Sequence, residues 1–522
     1  MNILMIAAEN DALPGGKVGG IGDVIRDVPP ALGARGHQVT VLTPAYGAFA
    51  ELPGARRRAA LEVGFGGGSR HVDLYEVPGR EPQPNVRHWV LEHPQFAVCG
   101  DGRIYCDDPP SQPFARDATK FALFCAAAAE LLLHDPASQP DVLHLHDWHA
   151  ALLLLLRRYH PACRSLQRLR CAFSIHNLAL QGVRPLSGHD SSLTSWFPGL
   201  HAEHGVVVDP RWPDCINPMA VGIRLADAVH AVSPSYAEEI RRPSAVERYG
   251  FYGGEGLEGD LAHAHNENRL FGILNGCAYP DALPPAPDWD ELMVLLRRQV
   301  LVWAGAAPPL HSAHFVARER LAEWNDQRPD FVLTSIGRLT EQKYRLLRQR
   351  NGQGRPVLDE LLNALATTNG VYVLLGSGDP EYEQFFTAAA GRYRNFLFLR
   401  GYSDALSQAL YATGDLFLMP SSFEPCGIGQ MLAMRAGQPC LVHHVGGLRD
   451  TVEPGTNGFA FTGDDPIEQA DNLIAALQAA LELQRQRPQR WQSLRQAAAA
   501  ARFRWDDSVT LYIEQLYQGS SA

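Results

Sequence analysis

A single acidic residue, Glu424, stands shortly after a run of apolar residues and lies in the stretch best suited to chemistry. The run, Leu416–Met419, has the length of a strand buried on both faces, and Pro420 ends it. The helix predicted over 428–436 begins soon after Glu424, and the free N–H groups of a helix start favour an anion. A carboxylate beside such a helix start suits a sugar joined to a phosphate. The alternative is an ordinary β-α-β unit that carries an acid on its surface.

Two basic residues follow another predicted strand, Phe331–Ile336. Arg338 and Lys343 are five positions apart across the strand end and can converge on a diphosphate. The arginine would bind it as a planar fork and the lysine as a point charge. The alternative is an exposed basic loop.

A third basic residue, Lys17, lies in the glycine-rich loop 15–23 between a predicted strand and a predicted helix. A dinucleotide-binding interpretation fails here on two counts. The loop does not spell GxGxxG, and the strand predicted over 39–43 ends in Thr43-Pro44 rather than in an acid for a ribose. The remaining interpretation is a backbone that approaches a ligand closely with Lys17 as a movable charge. The alternative is a solvated loop lysine.

Two histidine-bearing loops also end apolar strands, at the position where α/β proteins build their sites. The strand over 141–145 runs into His146-Asp147-Trp148-His149, and the strand over 171–175 ends in His176-Asn177. Zinc is an alternative for His144, His146 and His149, although no cysteine or further histidine completes a recognised ligand spacing. For His176 the alternative is a partly buried histidine that only satisfies its own hydrogen bonds.

The elements that carry these residues alternate between strand and helix, which predicts an α/β protein. A chain of 522 residues is too long for one core, and a domain boundary is expected near residue 270. The net charge of −11 argues against nucleic acid as a partner. The nine cysteines are odd in number and lack CxxC spacing, so they are expected to be reduced. No predicted membrane span or signal peptide interrupts the pattern, which favours a soluble, cytoplasmic protein.

Several stretches, in this order, resemble the bacterial glycogen synthases and plant starch synthases: KVGGIGDVIRDVPPALGARGHQVTVLTPAYG, DVLHLHDWHAALLL, FSIHNLALQG, ADAVHAVSPSYAEEI, IGRLTEQK, LLGSGDPEYE, FEPCG and GGLRDTV. The resemblance implies two facing Rossmann-like domains of the GT-B type, over 1–270 on the acceptor side and 271–500 on the nucleotide-sugar side. A C-terminal helix within 501–522 would cross back to the first domain.

The resemblance also implies an activity: transfer of glucose, with retention, from ADP-glucose to the non-reducing end of an α-1,4-glucan. No metal or cofactor is expected, and the sequence does not specify an oligomeric state. The alternatives are a retaining transferase for another nucleotide sugar or a small acceptor, and a weakly active glucan-binding regulatory paralogue.

Carried over to this sequence, the resemblance gives roles to individual residues. Arg338, Lys343 and Lys17 would neutralise the donor diphosphate, His176 would bind the donor glucose, and Glu424 would bind the sugar or stabilise its positive charge. Prearranged charges of this kind stabilise the transition state. No second carboxylate is suitably placed for double displacement, since Leu432 stands eight residues after Glu424. Further substrate-binding residues are expected to be Gly19, Gly20, Asp23, His146, Asp147, Asn177, Asn275, Gly427, Gly446, Gly447, Leu448, Asp450 and Thr451.

Four features depart from the family pattern. Gly429 replaces a threonine, and Cys277-Ala278 replaces Ile-Asp without the tryptophan that normally follows. The third feature is Tyr344 in place of a glycine, followed by residues 345–355, which resemble an insertion. The fourth is the stretch 279–329, which matches the family poorly. These departures bear on donor identity and turnover rather than on fold.

Overall fold

The computed structural model describes residues 1–134, 139–280, 285–306, 311–324 and 327–518. The chain divides into two compact units. The first comprises Met1–Ser244, Gly253–Gly276 and Arg504–Ala522, and the second comprises Ala245–Tyr252 and Cys277–Phe503. Both are α/β units built around a largely parallel sheet.

The first unit contains a nine-stranded sheet and a two-stranded ribbon. Its strands are β1 Asn2–Ile6, β2 Gln38–Pro44, β3 Arg56–Phe65, β4 Gly68–Val77, β5 Val86–Glu92, β6 Val142–His146, β7 Arg170–Ile175, β8 Arg184–Pro185, β9 Cys215–Ile216, β10 Ala228–Ala231 and β11 Leu270–Gly272. The large sheet has the order β11-β10-β7-β6-β1-β2-β5-β4-β3, and only the pairs β3–β4 and β4–β5 are antiparallel. The chain leaves β1 for β2 on one side and later returns to place β6 on the other. The switch point of this sheet therefore lies between β1 and β6.

The α-helices of the first unit span Gly20–Ala34, Ala115–His134, Trp148–Tyr159, Leu193–Trp196, His204–Val207, Pro218–Leu225, Pro234–Glu239, Glu258–Asn266 and Trp505–Leu511. Short 3-10 turns span Phe49–Glu51, Pro94–Ala97 and Pro161–Arg168. A π-helical turn, Tyr512–Tyr517, continues the last helix.

The C-terminal segment packs within the first unit. Trp505, Val509 and Tyr512 share one apolar core with residues of the first helix, Gly20–Ala34, and of β1. The sequence predicted a returning helix within 501–522, and residues 519–522 of that range lie outside the described part of the chain.

The second unit contains a six-stranded, fully parallel sheet. Its strands are β12 Phe331–Ile336, β13 Gly370–Gly376, β14 Phe396–Arg400, β15 Leu416–Met419, β16 Cys440–His443 and β17 Gly458–Phe461, in the order β14-β13-β12-β15-β16-β17. Strands buried on both faces explain the near-continuous apolar runs of the sequence. This is the strand order of a Rossmann sheet, with its switch point between β12 and β15.

The helices of the second unit span Val246–Tyr249, Trp289–Ala306, Ser312–Glu323, Glu341–Arg348, Val357–Ala366, Pro380–Arg392, Asp404–Thr413, Gly429–Arg435, Gly446–Thr451, Pro466–Gln486 and Pro488–Ala500. None of the helices in the described residues of the whole chain has the length and apolarity needed to cross a membrane.

Two local expectations were wrong, and one strand was not predicted. The stretch from Gly446, expected to be a glycine turn, forms the helix Gly446–Thr451. Strand β17 was missed, because its short GFAF sequence carries no alternation. The cysteines are not all reduced: Cys99 and Cys106 form a disulfide with their Cα atoms 5.3 Å apart, because the intervening loop turns back on itself.

Candidate active site

The second unit presents an ion pair at its switch point, where β12 and β15 end. The Lys343 ammonium is paired with Oε2 of Glu424, and the Ser421 hydroxyl donates to the same oxygen at 2.9 Å. Glu424 is 5% exposed, whereas a quarter of the Lys343 side chain reaches solvent. The neighbouring Gln342 fixes both loops, because its carbonyl accepts from the Ser422 N–H and its amide donates to the Phe423 carbonyl. A buried carboxylate is thus held beside a partly accessible cation.

Arg338 stands at the end of β12 and differs from Lys343 in its surroundings. Its side chain is exposed, and within the described residues it forms no hydrogen bond or ion pair. A guanidinium at the carboxyl edge of a parallel sheet, without an internal partner, can bind an anion as a planar fork.

The Glu424 loop is locked to the glycine-rich helix by backbone contact. The Gly447 N–H donates to the Glu424 carbonyl at 3.0 Å, and a Cβ at position 447 would overlap the carbonyl oxygen of Cys426. Gly427 has a φ of +75°, which explains the need for glycine there. The Gln430 amide donates to the Gly427 carbonyl at 2.9 Å and to the Thr451 hydroxyl at 3.2 Å.

The structure therefore brings most of the predicted residues of this region together. Glu424, Gly427, Gly447 and Thr451 belong to one hydrogen-bonded group, with Leu448 fully buried below it. Gly446 begins the helix with a φ of +44°, and Asp450 is half-buried on it. Their contacts with substrate remain predictions.

The glycine loop of the first unit is organised by a carboxylate that the sequence analysis did not single out. Oε2 of Glu9 accepts hydrogen bonds from the N–H groups of Val18 at 2.9 Å, Gly19 at 2.6 Å and Gly22 at 3.3 Å. Its other oxygen accepts from the Tyr105 hydroxyl at 2.9 Å. Glu9 follows β1, and that position alone could have identified it.

Lys17 and Asp23, both predicted to bind substrate, contact each other. The Lys17 ammonium lies 2.6 Å from Oδ1 of Asp23, and the Lys17 side chain is 38% exposed. Burial raises the pKa of Asp23, against the opposing effect of Lys17. Gly20 begins the helix with open space where a Cβ would be, so its backbone is accessible from that side.

At the ends of β6 and β7 the first unit gathers His146, Asp147, His176 and Asn177. Nδ1 of His146 lies 2.9 Å from Nε2 of His176, and Oδ1 of Asp147 accepts from the His176 N–H at 2.7 Å. Burial, with a smaller contribution from His230, lowers the pKa of His176 to about 3, so the imidazole is neutral. Its Nε2 is engaged, which leaves Nδ1 for a ligand. His146 is fully buried and can act on a ligand only through His176.

Asp147 has two unusual properties. Its backbone has a φ of 55° and a ψ of −177°, a region that residues other than glycine rarely occupy. Burial raises the pKa of its carboxyl group to about 8, although the N–H groups of His176 and Asn177 oppose this shift. Backbone strain and a perturbed acid in one residue are typical of functional sites.

Two further predicted residues, Asn177 and Asn275, lie in the loops after β7 and β11. Oδ1 of Asn177 accepts from the Ala179 N–H at 3.1 Å, which shapes the loop after β7. Asn275 is 4% exposed and accepts from the Tyr512 hydroxyl at 3.4 Å. Among the histidines considered for zinc, His149 packs its ring against Phe121 and Trp148.

The structure shows the surroundings of the departures from the family pattern. Tyr344 is buried with its ring against Phe386, the centroids 5.5 Å apart. The stretch 345–355 begins as the end of the helix Glu341–Arg348, and Arg345 donates to the Tyr252 hydroxyl at 3.1 Å. The Cys277 N–H donates to the Phe503 carbonyl at 2.8 Å. At Gly429 a Cβ would lie 3.3 Å from the Phe417 ring, and nothing in these contacts explains the loss of a threonine.

Comparison with known proteins agrees with this geometry. Residues 2–263 match the model of the starch synthase catalytic domain, and residues 355–479 match that of the group 1 glycosyl transferases. A glycogen synthase of Gloeobacter violaceus is 35% identical, with 98% of each chain covered. A glycogen synthase of Streptococcus sanguinis is 34% identical, with 99% of each chain covered.

Solved structures show the same relationship. The catalytic domain of starch synthase IV from Arabidopsis thaliana, bound to ADP and acarbose, has a TM-score of 0.73 at 26% identity. The superposition covers 99% of this chain and 98% of that one. A sucrose-phosphate synthase from Thermosynechococcus elongatus has a TM-score of 0.55 at 17% identity over 99% and 98% of the two chains, a similarity of fold alone.

Fold and site together define a glycosyltransferase of the GT-B fold. Within that class, the chain belongs to the family of bacterial glycogen synthases and plant starch synthases.

Proposed function

We propose that this enzyme transfers glucose, with retention of configuration, from ADP-glucose to the non-reducing end of an α-1,4-glucan. Its curated relatives carry the name glycogen synthase, and the similar starch synthase IV structure was bound to ADP and acarbose. The observation that carries the proposal is the Lys343–Glu424 ion pair, together with the exposed Arg338 after β12, at the switch point of a Rossmann sheet. A cytoplasmic location is part of the proposal.

The ion pair suits the charges that the reaction separates. Cleavage of the bond between the anomeric carbon and the phosphate oxygen leaves negative charge on the diphosphate and positive charge on the sugar. A lysine ammonium has three N–H donors, so Lys343 can keep Glu424 as one acceptor and still donate to a phosphate. Arg338 supplies a second, planar cation, and the Glu424 carboxylate faces the sugar. Preorganised charges in a partly buried site stabilise such a transition state strongly.

Retention of configuration follows without a protein nucleophile. The acceptor hydroxyl attacks the anomeric carbon from the face that the diphosphate leaves and gives its proton to the departing phosphate oxygen. In the first unit, the neutral His176 binds a glucose hydroxyl through Nδ1, and Lys17 adds positive charge for the diphosphate. Asp147 holds the backbone at His176 and Asn177.

Tyr402, which the sequence analysis did not single out, would support the nucleobase. It follows β14 at the same edge of the sheet and is 60% exposed, and its hydroxyl donates to Asp404 at 2.6 Å. Two strand spacings, about 10 Å, separate β14 from β12, roughly the distance between a base and its diphosphate. Because stacking of a base on an aromatic ring contributes about 1–3 kcal/mol, Tyr402→Ala should raise the donor KM by roughly tenfold. An unchanged KM would contradict this role.

The test of the proposal is a donor-by-acceptor assay. Purified protein is incubated with labelled ADP-glucose or UDP-glucose and with glycogen or maltooligosaccharides, and incorporated label is measured. The expected result is incorporation from ADP-glucose into glycogen, with products digestible by an enzyme specific for α-1,4 bonds. Incorporation from another donor only, or into small acceptors only, would favour a different retaining transferase. Glycogen binding without transfer would favour the regulatory paralogue.

A further inference from the structure

A chain of buried hydrogen bonds crosses the carboxyl ends of β6, β7 and β10 in the first unit. The Tyr517 hydroxyl lies 2.8 Å from Nδ1 of His144, whose Nε2 lies 2.7 Å from the Ser174 hydroxyl. The Ser174 hydroxyl also lies 2.8 Å from Nδ1 of His230, and Nε2 of His230 lies 3.0 Å from the Ile273 carbonyl oxygen. None of the four side chains is more than 3% exposed.

The backbone carbonyl of Ile273 determines the position of every proton in this chain of hydrogen bonds. A carbonyl oxygen only accepts, so Nε2 of His230 carries the hydrogen. Burial lowers the pKa of His230 to about 4, so the ring is neutral and its Nδ1 must accept from Ser174. The Ser174 oxygen then accepts from Nε2–H of His144. Burial also holds the pKa of His144 well below its usual value, and its Nδ1 therefore accepts from the Tyr517 hydroxyl.

This chain supports the histidine pair of the candidate active site. The rings of His144 and His146 are 4.2 Å apart between centroids and inclined by 30°. His146 in turn contacts Nε2 of His176 through its Nδ1 at 2.9 Å. The His146 ring therefore packs on the His144 ring, which orients it. His146 in turn orients His176 through their hydrogen bond.

We propose that the Tyr517 hydroxyl is a positioning group for His176, acting through the fixed ring of His144 and through His146. The inference rests on the proposed role of His176 in glucose transfer. It gives the C-terminal segment a part in catalysis although Tyr517 itself is buried away from any ligand.

A purely structural role for this hydroxyl is the competing explanation, and the chain offers a control for it. The C-terminal segment is also fastened by Ser508, whose hydroxyl donates to the Leu274 carbonyl at 2.6 Å, and by Arg170, which donates to the Leu516 carbonyl at 2.7 Å. Ser508→Ala removes a buried hydroxyl from the same segment but leaves the histidine chain intact. Tyr517→Phe removes only the hydroxyl that orients His144.

The first measurement compares steady-state kinetics. Tyr517→Phe should lower kcat by between about tenfold and a hundredfold, the effect of a small misplacement of a reacting group, with the donor KM changed by less than about twofold. Ser508→Ala should keep the wild-type kcat. In a His176→Ala background Tyr517→Phe should cause no further loss, because both changes act on one group. A wild-type kcat for Tyr517→Phe, or an undiminished further loss in the His176→Ala background, would overturn the proposal.

The second measurement needs no activity and separates this inference from the proposed function. Ring ¹⁵N shifts of labelled histidines report tautomers directly, and wild type should show His144 and His230 with the proton on Nε2. Tyr517→Phe should shift the ring ¹⁵N resonances of His144, His146 and His176. Ser174→Ala, which breaks the same hydrogen-bond chain at another point, should shift them too and replaces Tyr517→Phe if that variant folds poorly. Unchanged His146 and His176 shifts in a folded variant would refute the positioning role even if the wild-type enzyme transferred no glucose. If the variants shift these resonances but the wild-type enzyme transfers no glucose, the positioning role of Tyr517 stands and only the proposed function is rejected.

Discussion

Replacing Asp147 by asparagine should flatten one part of the pH dependence of stability. Burial raises the pKa of this carboxyl from 3.8 to about 8 in the folded protein. Between these two values the folded state holds a proton that the unfolded state has released. Stability contributed by this group is therefore complete below about pH 4 and declines as the pH rises towards 8. Asparagine resembles the protonated acid and keeps an oxygen that can accept the His176 N–H.

The size of the effect follows from one proton. Between the two pKa values of Asp147, each pH unit changes the free energy of unfolding by about 1.4 kcal/mol for each proton that the folded state binds and the unfolded state does not. Between pH 5 and pH 7 wild type should therefore lose close to 3 kcal/mol relative to Asp147→Asn. With an m-value of about 3 kcal/mol per molar urea, the two midpoints should separate by about half a molar per pH unit.

The assay is urea unfolding followed by tryptophan fluorescence at pH 5, 6 and 7, with Trp148 adjoining the substituted residue. Asp464→Asn, a change at an exposed aspartate, controls for the altered net charge and should follow wild type. Parallel wild-type and Asp147→Asn curves would refute the reasoning. They would mean that the N–H groups of His176 and Asn177 outweigh burial and keep Asp147 ionised in the folded protein.

Three further predictions concern the second unit. Lys343→Met and Glu424→Gln should each lower glucose transfer by orders of magnitude, and donor affinity should fall more for Lys343→Met because we propose that the lysine binds the diphosphate. Arg338→Ala should lower transfer while the free energy of unfolding stays within about 0.5 kcal/mol of wild type, since the side chain is exposed. Gly447→Ala should destabilise the unit by about 1–3 kcal/mol and abolish transfer, because its Cβ would overlap the Cys426 carbonyl.

Labelled-glucose incorporation, donor titration and urea unfolding measure these effects. For Gly447→Ala the matched control is Gly391→Ala, a helical position with open space around the new Cβ, which should be neutral or slightly stabilising. Equal losses at both glycines would contradict the steric explanation. Glucose transfer by Glu424→Gln at the wild-type rate would show that the buried carboxylate is not needed for the reaction. A large loss of stability in Arg338→Ala would mean that the arginine has a structural partner.

The sequence alone predicted most of the strands, although not β17, and the edge of the sheet that carries the candidate site. Apolar runs such as Phe331–Ile336 and Leu416–Met419 can be stable only as strands buried on both faces, and the structure has them with those bounds. In a parallel sheet their carboxyl ends meet at one edge, so the loops that carry Arg338 and Glu424 could be assigned to it from the linear pattern.

Tertiary structure decided which side chains contact each other. That Lys343 pairs with Glu424, that Glu9 binds the glycine loop, and that Cys99 joins Cys106 depend on side-chain directions in loops, which no periodicity encodes. Protonation was beyond the sequence for the same reason. Asp147 and His176 depart from their ordinary pKa values because neighbours distant in the chain remove water from them, and burial of this kind exists only once the chain has folded.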